Sequence, residues 1–344
     1  MRSGGRGRSG EKTRRLRPTW RGVGLLVIGT ISAGVLFLVA PPAKVFDQIG
    51  HMSLAWLAAA VAMETFSCLS YVIVFRHFFP EPSRRDSRRV AWIAMGAGAV
   101  LPGGNISSIA ATGLVMRGSG IGIRQLLGRS GALLCLLVGV GFLANGVAGA
   151  LLFAGVPDGP LDLSHTGIPI LVSVGVLSSA ALIVFLSRRG GERTPGAIRA
   201  LAAGLDGAWA AVRHPTWRLL GAAGYTCLDV AALWSACAAT GHRLGFLAVL
   251  IACCIGYLTA TIPMPAGLGV LDSSLAGALV LYGLPPAASI GAVLLYHAIS
   301  IWVPGCGGTI ALLCSRRTPI TDQPSVAAPA LTGIQPREAA QTKA

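Results

Sequence analysis

Charged residues are scarce in this sequence, at 12% of 344 positions, and acids are the scarcer kind: 13 Asp and Glu against 28 Lys and Arg. A water-soluble domain of this length needs a more polar surface, so that class is excluded. The excess of bases does not make a nucleic-acid binder. The formal net charge of +15 is divided among short clusters between apolar runs, as the positive-inside rule predicts for loops between spans. The eight cysteines lie within or at the ends of apolar runs, and none has CxxC or Cys/His spacing. They read as small packing residues, so no metal and no cofactor is expected. HxxxD, nucleophile-elbow and phosphate-loop patterns are also missing, which argues against an enzyme.

What the chain does have is apolar length. Hydrophobic residues make up 53% of it, mean hydropathy is +0.68, and several runs reach the roughly 20 residues that a spanning helix needs. The fold class is therefore an all-α polytopic membrane protein. Residues 1–21 form a basic arm, expected in the cytoplasm and able to touch anionic lipid headgroups. Spans are expected at 22–40, 53–75, 131–155, 167–186, 217–240 and 285–313. Two further apolar stretches, 90–116 and 246–284, are broken near their middles, by LPGGN at 101–105 and by TIPMPAGLGVLDSS at 261–274. Proline and glycine end a helix there, and non-helical backbone at membrane depth survives only inside protein or beside a water-filled cavity. Between spans, 187–218 carries Ile198, Leu201, Leu205, Trp209 and Val212 at helical spacing. Two readings stand open for it: a helix lying in the membrane interface, or a loop helix packed on the protein. The tail 318–344, rich in Pro, Ala, Thr and Gln, is expected to be disordered.

Charge placement decides the architecture. If 90–116 simply crossed, Arg117, Arg124 and Arg129 would lie outside and the base-free loop 156–166 inside, both against the rule. Two re-entrant hairpins put every basic cluster on one side, with only Lys44 and Arg243 outside. The expectation is thus about six full spans plus two broken hairpins, in one domain over 22–317, with both termini cytoplasmic in the cell membrane. The halves 22–155 and 167–313 match: Glu64 stands nearly as far before Pro102 as Asp229 before Pro265, and Pro102 to Gly120 has the spacing of Pro265 to Gly283. Each half has an odd number of crossings, so the halves form an inverted-topology repeat, a device of transporters whose sites lie where broken helices meet.

Candidate binding residues follow from that. Pro102, Gly103, Gly104, Asn105 and Ser108 in the first break, and Pro265, Gly267, Gly269 and Asp272 in the second, set helix N-termini that favour an anion. The plainer alternative is that Asn105 caps its own helix and the glycines only permit the turn. Glu64, Asp229 and His297 are ionisable groups at membrane depth, which are costly and commonly functional. Packing pairs with neighbouring helices are the alternative for each. Tyr225, Tyr257 and Tyr296 are candidates to line a polar path.

TIPMPAGLGVLDSS, followed by GLPPAASIGAVLLYHAISIWVPGCGG, resembles the C-terminal half of the lysylphosphatidylglycerol synthase transmembrane (flippase-like) family, with its Pro-Gly-Gly-Leu-Gly-Val-x-Glu pattern and later Tyr-Arg before Trp-x-Pro. LPGGNISSIAATGLVMRGSGI resembles its first hairpin more weakly. Ala266 stands where the family often has Gly, Asp272 where it has Glu, and His297 where it has Arg. The last change removes a fixed cation. The resemblance implies a membrane module that moves a phospholipid or polyprenyl-phosphate-linked headgroup between leaflets, without the soluble domain that makes aminoacylated lipid. The alternatives are a membrane enzyme modifying lipid headgroups and a non-catalytic assembly subunit.

Overall fold

The computed structural model describes residues 52–101, 103–116, 121–155, 163–190, 195–259 and 270–317. These residues form α1 (Leu54–Phe78), α2 (Arg84–Val100), α3 (Asn105–Val115), α4 (Ile123–Phe153), α5 (Leu163–Gly190), α6 (Gly196–Arg213), α7 (Leu220–Ala239), α8 (Phe246–Thr259), α9 (Val270–Leu281) and α10 (Pro286–Arg317), with a 3-10 turn at Trp217–Leu219 before α7. No strand occurs among the described residues. The apolar runs become helices because a helix satisfies its own backbone groups where no water can. Five are long and apolar enough to cross a membrane: α1, α4, α5, α7 with its leading turn, and α10. The first expected span, 22–40, lies outside the described residues, as do both terminal segments.

Backbone and side-chain contacts at the helix ends fix the arrangement. Ser53 N–H donates to the Ala239 carbonyl at 3.0 Å, and Trp56 meets Trp234 edge-on, so α1 begins where α7 ends. At the other end Arg218 donates to the Arg76 carbonyl, and Thr216 bonds His77. The two helices are antiparallel. Arg129 in α4 pairs with Glu81, just before α2, so the chain leaves this end through α2 and is back there by α4. The stretch 84–123 is therefore a hairpin, with α3 packed on α2. Arg188 pairs with Asp206 of α6. Gly308 of α10 touches Trp92 and Gly96 of α2, while Gly305 touches Val100, so α10 runs antiparallel to α2 and its last turns approach this same end. Arg243 is at the opposite end, over Trp56.

Several boundaries differ from expectation. Arg124 and Arg129 lie inside α4, which begins at Ile123, because an interfacial turn tolerates charge that the bilayer interior does not. α5 begins at Leu163 and α10 continues through Arg317 for the same reason. α6 is a helix packed on the protein, the second of the two readings left open for it. Ala202, Gly204, Ala208 and Ala211 pack inward, against α4 and α5, while Leu201, Trp209 and Val212 stay exposed.

Two apolar cores sit at the two ends. One joins α7, α8, α9 and α10 with Ala148 and Leu152 of α4; the other joins the last turns of α1 with α2, α4, α6 and Ala222 of α7. Glycines set the closest crossings. A Cβ on Gly221 would lie 2.6 Å from the Ser70 carbonyl, and one on Gly96 would lie 2.8 Å from that of Pro304. Exchanging α1 with α7, α2 with α8, α3 with α9 and α4 with α10 turns every neighbouring pair of these eight helices into another neighbouring pair.

Candidate functional site

Glu64 lies about 15 Å along α1 at 1.5 Å per residue, near the middle of a hydrocarbon layer roughly 30 Å thick. Glu64, Cys68 and Tyr71 follow at helical intervals of four and three, so they share one face of α1. Tyr225 and Asp229 share a face of α7 in the same way. The antiparallel crossing, held by Ser67 Oγ donating to the Tyr225 carbonyl at 3.0 Å, turns these faces toward each other.

The result is a polar layer between the two apolar cores. Glu64 and Asp229 are 5% and 7% exposed, and their carboxyls lie within hydrogen-bonding reach of one another. The Cys68 thiol donates to Glu64 Oε1 at 3.8 Å. From α10, Tyr296 Oη donates to Asp229 Oδ1 at 2.7 Å. Glu64 Oε2 is buried with no hydrogen-bond partner. The Tyr225 ring lies 5.6 Å from that of Tyr71, whose hydroxyl reaches Ser108 of α3. Ser108 in turn belongs to a narrow cleft, where Asn105, Thr112 and Ser130 face the aromatic wall of Tyr71, Phe75 and Phe79. Tyr225, Tyr71 and Ser108 thus lie between the acid pair and the hairpin cleft.

The hairpin tip is made possible by two glycines. Gly103 and Gly104 have φ of 109° and 50°, values that side-chain-bearing residues rarely adopt. Gly104 is the N-cap of α3, and Asn105 is the first helical residue, so Asn105 does not cap the helix as the alternative reading supposed. Gly103, Gly104 and Asn105 are exposed at the tip, and Ser108 is half-buried. Pro102, Pro265, Gly267 and Gly269 lie outside the described residues, as does Tyr257's side chain. Asp272 falls in the first turn of α9, and its side chain is likewise outside them.

The family described as "Lysylphosphatidylglycerol synthase TM region" matches residues 23–308. The chain belongs to this family. It is a multi-pass membrane protein, and the match covers α1 to α9 and most of α10. No curated protein matches it.

Of the ionisable residues singled out in this family member, the structure brings Glu64 and Asp229 together but reaches them from α10 with Tyr296, not His297. His297 is half-buried one position further on, about 100° around the helix. Cys68 and Tyr71 were missed in the sequence. Their signal was available: both repeat the face of Glu64, an interval that for a lone acid in a span marks which neighbours share its environment.

Proposed function

We propose that this protein moves a lipid headgroup, of a phospholipid or a polyprenyl-phosphate-linked lipid, between the leaflets of the cell membrane, as a transporter and not an enzyme. The observation that carries the reading is the cleft at the first hairpin, where polar Asn105, Ser108, Thr112 and Ser130 line the same space as an aromatic wall. Such mixed lining suits an amphiphile, whose headgroup needs hydrogen bonds and whose chain needs apolar contact. Membership of the family supports the same substrate class. The cleft is narrow, so passage of a headgroup requires α3 to move away from α1. α3 suits that role: Thr112 is its one buried residue among those described, and it packs mainly on α2.

The antiparallel α1 and α7, and the neighbour pattern preserved on exchanging the two sets of four helices, support an inverted-topology repeat. The end that gathers Arg76, Arg129, Arg188 and Arg218 is then the cytoplasmic face, where basic loops stay. The exposed Leu201, Trp209 and Val212 of α6, with Arg213 over Trp209, rest on its anionic lipid headgroups.

Purified protein in liposomes is expected to speed leaflet exchange of a labelled lipid. Asn105→Ala with Ser108→Ala slows that exchange about tenfold, the effect of about 1.4 kcal/mol of lost headgroup contact. No acceleration across a panel of anionic, cationic and polyprenyl lipids overturns the reading.

A further inference from the structure

Lipid binding at the cleft leaves the acid pair unexplained. An ionised acid at the centre of a spanning helix is poorly solvated and costly, and two ionised acids side by side add repulsion that a low dielectric strengthens. Ionised carboxyls only accept hydrogen bonds, so two of them in contact have no donor between them. Among the described residues, no donor reaches the second carboxyl oxygen of Glu64. On α1, Cys68 donates to Glu64 Oε1, and on α10, Tyr296 donates to Asp229 Oδ1. On α7 the Tyr225 hydroxyl stands near both acids, Cys68 and Tyr71. His297 is the basic residue of α10 nearest this level. No Lys, Arg or His occurs at 90–100 on α2 or at 131–153 on α4, the other helices packed on α1, and Arg218 before α7 lies at the basic end. Glu64 Oε2 stays buried and unpartnered.

We propose that Glu64 and Asp229 form a single-proton site. One proton between the carboxyls supplies the missing donor, satisfies the orphaned oxygen and leaves one negative charge where two would stand. Tyr225, Tyr71 and Ser108 stand between this site and the cleft, and their hydroxyls are the groups through which the proton would pass toward the hairpin. The proton leaves to, and returns from, water entering the cleft, and the hydroxyls end each transfer as they began. Coupling of this proton to lipid movement rests on the transporter reading; the site itself does not.

The experiment is infrared spectroscopy of the full chain in liposomes, with leaflet exchange measured on the same preparation. A carboxylic-acid carbonyl band is expected in the wild type that disappears on raising the pH. Each single variant, Glu64→Gln or Asp229→Asn, shifts it, and the double variant removes it. The wild-type titration needs no variant to fold; absence of any titrating acid band overturns the inference. So does loss of the band on adding sodium at constant pH, which makes the pair a metal-cation site. Exchange in the wild type is expected to change with pH by up to about tenfold per unit, the limit for one proton, and to lose that dependence in Glu64→Gln. A titrating band without exchange of any lipid keeps the proton site and removes the transporter reading. Exchange without the band does the reverse.

Discussion

At the scale of single residues, the centre of this protein is a conflict between solvation and position. Glu64 and Asp229 sit where a charge is poorly solvated, and a side-chain donor reaches each: the Cys68 thiol and the Tyr296 hydroxyl. The second is the stronger, because an O–H donor 2.7 Å from a carboxyl oxygen is far better placed than a thiol at 3.8 Å. Tyr296→Phe keeps the ring and removes the hydroxyl that makes that bond. It is expected to lower thermal stability in detergent by about 1–3 kcal/mol, the usual cost of leaving a buried acceptor short of a donor. Unchanged stability would show that water replaces the hydroxyl. The two acids were legible in the sequence as isolated charges in apolar runs. That they touch was not, since their contact depends on where two helices remote in sequence cross.

At the scale of elements, helix approach is set by glycine. Gly96 on α2 and Gly308 on α10 nearly touch, and a Cβ on either would meet backbone atoms that cannot swing aside. Gly96→Leu is therefore expected to force the helices apart and to destabilise the protein by about 1–3 kcal/mol or more. Gly139→Ala, at a position with no atom within 4 Å of a new Cβ, is the control, expected to be neutral or stabilising by up to about 1 kcal/mol of helix propensity. Melting temperatures of the two variants in one detergent separate packing from propensity. Both glycines look alike in sequence, as members of small-residue stretches. The difference between a tight crossing and a lipid-facing gap belongs to the partner helix. α6 teaches the same lesson in reverse. Its large apolar residues mark a helix but face outward, and its alanines and glycines form the contact with the bundle, because close packing on α4 leaves room only for small side chains.

At the scale of the whole molecule, the charge rule and the structure agree on which segments share an end. Arg85, where α2 enters the first hairpin, and Gly122, where the hairpin ends at the start of α4, belong to the basic end, while His242 belongs to the other. Single cysteines at these three positions, in a background lacking the eight native ones, give a direct check. Arg85→Cys and Gly122→Cys are expected to react with an impermeant thiol reagent from one face, and His242→Cys from the other. Opposite-face labelling of the first two would falsify the hairpin.

By itself the sequence determined the membrane class, the presence of the described spanning helices, the break at 101–105 and the family. These follow from apolar length, from proline and glycine, and from the clustering of arginine, all of which act locally or along one axis normal to the bilayer. Only the tertiary structure decided that Glu64 meets Asp229, that Tyr296 and not His297 bonds Asp229, and that Tyr71 reaches Ser108 at the hairpin cleft. Those contacts depend on the rotation of each helix about its own axis. Spans such as α1 and α10 are apolar on every side, so no hydrophobic stripe in the sequence records which face turns inward. That choice is made by glycine crossings and by a few buried hydrogen bonds, which exist only once the helices have packed.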